Sequence, residues 1–420
     1  MSAVSVLPDA DSWQHNRLDL TKLQVVVNQL WAMRHPGQPA PQLQNYADFQ
    51  ALVPSMQSAD YALLARQSLA NHHEVPLCIG GTSGTTGQSK LVLTRTNTPG
   101  SRPSELDIQL ITELRIAGAL NPGDVVANLF MVGLFSILHH GFNRILEACY
   151  CSVIPLASLD PAKQQAQLAF MQQCGVNVLV GTPGTLIQVA HAVRESGISL
   201  PISRILFTGE RMGAAKAAVL RQIFPGVRII GCYGLSECGF VALEQPDGRY
   251  LVRDNAFFVE RAPNGRLLIT SLDPSLPTPV VRYDSGDQLE LCHVGAMTFL
   301  HGIDRADNAF NFIGNLIELK TVRQLVAAGL QQTDALVEVQ LSTDVAGRDE
   351  LLVRVLTDNF SHYARETQSV NDAVLQQLLG HAEIKEALDK QAGTVRVELL
   401  PAAAATLSGR NKHQSIIDLR

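Results

Sequence analysis

The sequence predicts an α/β protein: a large N-terminal domain of largely parallel sheets with helices plus a β-barrel-like part, then a small α+β C-terminal domain. Three observations carry this. Between residues 125 and 230, short apolar runs alternate with amphipathic segments, the rhythm of parallel strands joined by helices. Between 250 and 300 only short β-type runs occur, spaced by turn residues, as in an antiparallel barrel-like sheet. From residue 317 onward, helical and strand patterns mix again.

Composition agrees with that class. The 420 residues suffice for a sizeable core and more than one domain. Apolar residues make up 46% and charged residues 17%, so the chain is globular rather than disordered. A net charge of −6 without a long basic run argues against nucleic acid as a partner. Seven cysteines are scattered, and only Cys149 and Cys151 are close-set, on a pattern that reads as strand. That spacing is neither a zinc pair nor a disulfide framework, which leaves reduced thiols. Residues 1–20 lack the apolar core of a signal peptide, and no apolar run approaches the ~18 residues of a membrane span. The expectation is a cytoplasmic protein with no membrane partner.

Taken in order, Leu23, Val26, Val27, Leu30 and Trp31 recur at helical spacing, and residues 56–69 read as a further helix. Residues 75–79 and 91–94 read as strands. A helix over 104–119 is broken by Asn121-Pro122-Gly123-Asp124. Strands are then expected over 125–130, 152–156, 176–180, 204–207 and 227–230, with helices over 134–147, 161–174, 186–196 and 213–224. In such a sheet ligands bind at the carboxyl ends of the strands. Short β runs follow at 250–252, 257–259, 266–270 and 280–283. The C-terminal part reads as a helix at 317–328, strands at 335–341 and 350–356, one or two helices within 369–391 and a strand at 395–400.

The chemistry centres on Gly80-Gly81-Thr82-Ser83-Gly84-Thr85-Thr86-Gly87-Gln88-Ser89-Lys90, between two expected strands. Four glycines let backbone N–H groups turn inward, and the hydroxyls of Thr82, Ser83, Thr85 and Thr86 add donors. A concave nest of donors suits the phosphates of a nucleotide. The bland alternative is a flexible Ser/Gly/Thr hairpin. An ordinary P-loop does not fit, because Ser89 precedes Lys90 and a strand follows.

This stretch resembles the phosphate-binding loop of the adenylate-forming superfamily. Gly231-Cys232-Tyr233-Gly234-Leu235-Ser236-Glu237 is similar to that superfamily's aromatic-Gly-x-(Ser/Thr)-Glu motif. From about Phe49 to the C-terminus the chain looks most like phenylacetate–CoA ligases, through Gly123-Asp124-Val125-Val126, Tyr233 to Glu237, Glu244 and Arg282-Tyr283. The resemblance implies ATP and Mg²⁺ as cofactors, a small carboxylic acid as substrate, and an acyl adenylate. The acyl group would pass to a thiol of CoA or of the phosphopantetheine on an acyl-carrier protein. It implies Tyr233 stacking adenine, Ser236 beside the phosphate and Glu237 on Mg²⁺, whose preference is for oxygen ligands. Gly84, Gly87, Lys90, Gly209, Glu210 and Gly234 would also meet the nucleotide. Asp284-Ser285-Gly286-Asp287, an ordinary β-turn by itself, resembles the motif whose Asp, here Asp287, accepts both ribose hydroxyls.

Arg305-Ala306-Asp307 resembles the superfamily's hinge, with Arg305 reaching the ribose and Asp307 as pivot. That implies a core domain over 1–304 and a mobile domain over 305–420. Near the C-terminus, Arg410 occupies the position of the family's catalytic Lys, and Lys412 lies two residues on. The two cations are not equivalent, one a planar fork and the other a point charge. Phe130, Val132, Phe135, Gly234 and Gly239 are the expected acid-pocket residues, apolar enough to favour an aryl acid. The alternatives are an acyl-protein synthetase, and a nucleotide-binding relative that has lost adenylation. A homodimer is left open.

Overall fold

The computed structural model describes residues 19–71, 76–82, 90–96, 105–132, 137–305, 309–330, 335–357, 360–363, 367–389, 393–401, 404 and 416–420. The fold is mixed α/β with a small C-terminal sheet domain. The chain divides into two compact units, and it passes between them more than once. One comprises Met1–Thr82, Lys90–Gln109 and Tyr233–Ala306; the other Ser83–Ser89, Leu110–Cys232 and Asp307–Arg420.

In the first unit, Leu20–Arg34 is a helix because Leu23, Val26, Val27 and Leu30 share one buried face. Asp19 caps it, its carboxylate accepting from Lys22 N at 3.0 Å. Helices Tyr46–Leu52 and Ser58–Asn71 follow. Strands Leu77–Thr82 and Lys90–Arg95 pair antiparallel, with Thr82 opposite Lys90. Antiparallel strands then lie in the spatial order Phe257–Arg261, Arg266–Ser271, Tyr283–Val294, Met297–Arg305, Tyr250–Val252 and Gly239–Glu244. Phe49, Tyr61, Val241, Phe257, Leu267 and Leu300 belong to one core that joins the helices to these strands.

Two details there differ from expectation. Residues 280–282 are not strand; the strand begins at Tyr283, because Arg282 adopts a left-handed φ of 49°. The segment Asp284 to Asp287 is not a free turn but part of that strand. Arg266 pairs with Gln288 while Leu268 pairs with Asp284, so the strand bulges around Gly286, whose φ is 78°.

The second unit carries the parallel strands, ordered Arg228–Leu235, Arg204–Phe207, Val178–Gly181, Val125–Asn128 and Ser152–Ile154. The first of these runs on into the other unit at Tyr233. Helices Leu138–Ala148, Gln164–Gln173, Pro183–Ser196 and Ala214–Ile223 alternate with them. Pro183–Ser196 starts earlier than its apolar pattern suggests, since Thr182 caps it and Pro183 fits the first turn. Leu138–Ala148 begins after the expected 134, and residues 133–136 lie outside those described. Cys149 ends that helix rather than entering a strand, and all seven cysteines are free thiols.

In the same unit a four-stranded sheet runs Gly393–Pro401, Asp349–Thr357, Leu336–Thr343, Ile416–Asp418, with helices Leu319–Leu330, Thr367–Leu379 and Ala382–Asp389. The expected helix at 317 starts two residues later. Asn315–Glu318 is instead a strand paired with Ala309–Phe312 around Ile313 and Gly314, whose φ values are 51° and 82°. Two positive φ angles in a two-residue loop are the signature of a tight hairpin. No helix among the described residues is long and apolar enough to cross a membrane.

Candidate functional site

Several of the residues singled out in the sequence meet within the first unit. Ser236, Glu237 and Cys238 form the turn between strands Arg228–Leu235 and Gly239–Glu244, closed by Cys238 N donating to Leu235 O at 3.2 Å. Gly234 has to be glycine, because a Cβ there would run into the carbonyl oxygen of Gly239. Gly239 itself holds a φ of 82°. This compressed turn leaves Glu237 only 7% exposed.

Tyr283 donates its hydroxyl to Glu237 Oε1 at 2.7 Å, and Lys90 Nζ stands 3.5 Å from the same oxygen. Lys90 comes from residues 90–95, Glu237 from the turn, Tyr283 from the bulged strand. Three separate stretches thus converge on one carboxylate. Burial, then the Glu237 charge, pushes the Tyr283 phenol far above its usual range, so it stays protonated and a donor. Burial and Glu237 likewise raise the Tyr61 phenol and the Cys238 thiol.

A second contact ties the other two expected nucleotide residues together. Tyr233 donates its hydroxyl to Asp287 Oδ2 at 2.6 Å. Its phenol is held well above its ordinary range by burial first and by Asp287 second. Asp287 is presented by the bulge, its N–H donating to Ser285 Oγ at 3.1 Å, and it pairs across the sheet with Arg305. The Tyr233 ring meets Tyr250 edge-on at 6.4 Å.

Chemically the cluster offers a carboxylate whose described partners both sit on one oxygen, an ammonium beside it, and a second carboxylate with an aromatic ring attached. Among the described residues no group of three or more His, Cys, Asp or Glu could hold a metal by itself. One carboxylate with an oxygen that no described residue occupies fits Mg²⁺, which binds through one or two carboxylates and takes its other ligands from phosphate and water.

Other expected residues lie in the second unit. Phe130 is buried with its ring 4.5 Å from that of Phe142, and Val132 is exposed. Gly209 has a φ of 87°, and its carbonyl accepts from Asn311 Nδ2 at 3.5 Å. Glu210 is buried, with Oε2 3.5 Å from Lys216 Nζ and Oε1 without a hydrogen-bond partner among the described residues. Residues Ser83, Gly84, Thr85, Thr86, Gly87, Phe135, Asp307, Arg410 and Lys412 lie outside the described residues.

Sequence reasoning gave no role to Tyr283, which entered only through its likeness to a motif. No local pattern could have found its partner, because Glu237 is 46 positions away. Lys216, which meets Asp349 at 2.7 Å as well as Glu210, was missed altogether. A lysine in the helix Ala214–Ile223 gives no sign of burial in its own residue type.

Comparison with known proteins adds four matches. A family model described as AMP-binding enzyme matches residues 11–255. The chain is 30% identical over 378 residues to the indoleacetate–lysine synthetase of Pseudomonas savastanoi, covering 89% of this chain and 92% of that protein. Its structure is similar to that of a 2-hydroxyisobutyryl-CoA ligase in complex with 2-HIB-AMP and CoA in the thioesterification state, at TM-score 0.64 and 20% identity over 100% and 95% of the two chains. An open conformation of the same ligase matches at TM-score 0.58 and 18% identity, over 100% and 97%. At these identities the structural likeness speaks for the fold.

Proposed function

The chain belongs to the AMP-binding enzyme family and is an adenylating ligase; from that premise we propose that it activates an aryl carboxylic acid as its adenylate and passes the acyl group to a small nucleophile. The observation that carries this is the convergence of Lys90, Glu237 and Tyr283, beside Tyr233 and Asp287, within one unit.

Asp287 accepts the ribose hydroxyls while Tyr233 holds one of its oxygens, and Arg305 supports the same sugar. Ser236 and the loop at Thr82, Ser83, Gly84, Thr85, Thr86 and Gly87 meet the phosphates. Glu237 would hold Mg²⁺ through its open oxygen, and Lys90 supplies a neighbouring point charge. When bound, Mg²⁺ neutralises charge on the phosphate oxygens. The acid's carboxylate attacks the α-phosphorus and pyrophosphate leaves; the acceptor then attacks the acyl carbonyl and AMP leaves. The residues gain rate chiefly by positioning and charge stabilisation. Residues 305–420 would move about Asp307 between the two half-reactions, a rotation that has to part Asp349 from Lys216, with Arg410 or Lys412 completing the adenylation arrangement.

For the acceptor, an amine ranks first, because the indoleacetate–lysine synthetase is similar over nine tenths of both chains. A thiol of CoA or a carrier protein ranks second, on the resemblance of Tyr233 to Glu237 and Arg282-Tyr283 to phenylacetate–CoA ligases. Apolar Phe130, Val132 and Phe135 support an aryl acid over a charged one. The test is product analysis by mass spectrometry with ATP, Mg²⁺, an arylacetic acid, and either lysine or CoA. AMP with an acyl-lysine amide is expected; a thioester alone would reverse the ranking, and ADP as product would overturn the ligase reading.

A further inference from the structure

A glutamate carboxylate has two oxygens, and the described contacts of Glu237 fall on one of them. Tyr283 donates to Oε1 at 2.7 Å, and Lys90 Nζ is 3.5 Å from that same atom. Tyr283 is 3% exposed and Glu237 7%, so water has little access to the bond between them. A carboxylate pinned at one oxygen has the other aimed in a set direction. We propose that Tyr283 is a positioning residue which, by holding Oε1 of Glu237, aims Oε2 at a divalent cation arriving with the nucleotide. This rests on the reading of Glu237 given above.

The backbone around Tyr283 is built to keep that hydroxyl in place. Met56 brackets it: Met56 N donates to Arg282 O at 2.9 Å, and Asp284 N donates to Met56 O at 2.9 Å. Arg282 holds its φ of 49°, a conformation that persists for a non-glycine residue only where the surroundings over-determine it. They do so here. Its guanidinium donates to Val53 O at 2.6 Å, to Gln50 O at 3.1 Å and to Glu260 Oε2 at 3.1 Å, while its N–H donates to Thr270 Oγ1 at 2.9 Å. Glu260 is fixed in turn by the hydroxyl of Tyr46 at 2.9 Å. The Tyr283 ring rests edge-on against Tyr61, centroids 5.8 Å apart. Ring packing alone would be served equally by phenylalanine. The hydroxyl adds the bond to Glu237.

Tyr283→Phe keeps the ring and removes the donor. The measurement is Mn²⁺ binding by electron paramagnetic resonance, with a non-hydrolysable ATP analogue present, alongside analogue binding without metal by calorimetry. Mn²⁺ affinity should fall about 10-fold, the lower end of what is lost when a residue orienting a metal ligand is removed. Analogue binding without metal should stay within about twofold, whereas a merely structural role would weaken both arms together. Tyr61→Phe, which keeps its ring against Tyr283, should leave Mn²⁺ affinity unchanged. If Tyr283→Phe does not fold, Glu260→Gln loosens the grip on Arg282 and should weaken Mn²⁺ in the same direction, by less. Wild-type Mn²⁺ affinity in a folded Tyr283→Phe or Glu260→Gln protein would overturn the positioning role. Should the unmodified enzyme bind no Mn²⁺ with the analogue, the metal reading of Glu237 itself falls, and this role with it.

Discussion

In the first unit, Lys90 stands 3.5 Å from Glu237 and keeps 32% of its side chain exposed. In the second, Lys216 is 2.7 Å from Asp349, with 2% and 0% of the side chains exposed. Asp349 also receives Arg420 at 3.2 Å and Thr343 Oγ1 at 3.1 Å, and Lys216 reaches Glu210 at 3.5 Å. Both are lysine–carboxylate pairs, but one is closed and the other open. In the closed cluster buried Asp349 meets Lys216, Arg420 and Thr343, although Glu210 Oε1 finds no partner among the described residues, so disturbing it costs stability. The open pair has a longer contact, a cation able to withdraw into solvent and a Glu237 oxygen that no described residue occupies, so disturbing it should cost activity.

The sharpest way to break this contrast is to remove one member of each. Lys216→Ala leaves Asp349 buried with a weaker set of partners and should destabilise by about 3–5 kcal/mol, read from chemical denaturation. Pairing Lys216→Met with Asp349→Leu should recover much of that loss, because the buried charges go together. A stability change near zero for Lys216→Ala would erase the distinction between the clusters.

Glu237→Ala should do the opposite, slowing adenylation about 10³-fold, the upper end for losing a preorganised charge contact, while the protein stays folded. Glu237→Gln keeps an acceptor for Tyr283, so equal activity loss in both variants would assign the effect to charge rather than packing. Smaller effects follow at the C-terminus. Either Lys412→Ala or Arg410→Ala should slow acyl-adenylate formation about 10²-fold and leave transfer from a supplied adenylate nearly unchanged. Asp307→Pro should show the reverse pattern, since it restricts the pivot. Single-turnover kinetics of each half-reaction reads all three. The smallest change is expected for Arg420→Ala, about 1.5 kcal/mol of stability, because Lys216 still neutralises Asp349.

The same contrast marks how far the sequence could be read. The alternation of strands and helices over 125–230 was legible because burial imposes period on each element. Tyr233 to Glu237 stood out through likeness to a family motif, whereas the turn itself was not legible, since the strand expected to end at Ile230 runs on to Leu235. What escaped was set by tertiary contacts. Arg282 leaves the strand pattern because Val53, Gln50 and Glu260 hold it in a left-handed conformation. The hairpin at Ile313 and Gly314 shortens an expected helix, and the bulge at Gly286 turns an expected loop into strand. Lys216 and Asp349 are 133 residues apart, and their pairing has no local signature.

Adenylation of a carboxylic acid by the cluster around Glu237 is the step on which the proposed function stands or falls. Exchange of labelled pyrophosphate into ATP tests it most directly, with a panel of acids, with and without Mg²⁺, in the unmodified protein and in Glu237→Ala. Mg²⁺-dependent exchange is expected when an arylacetic acid is present, with little in its absence and near-complete loss in Glu237→Ala. Exchange that persists in a folded Glu237→Ala protein, or that no carboxylic acid supports, would contradict it.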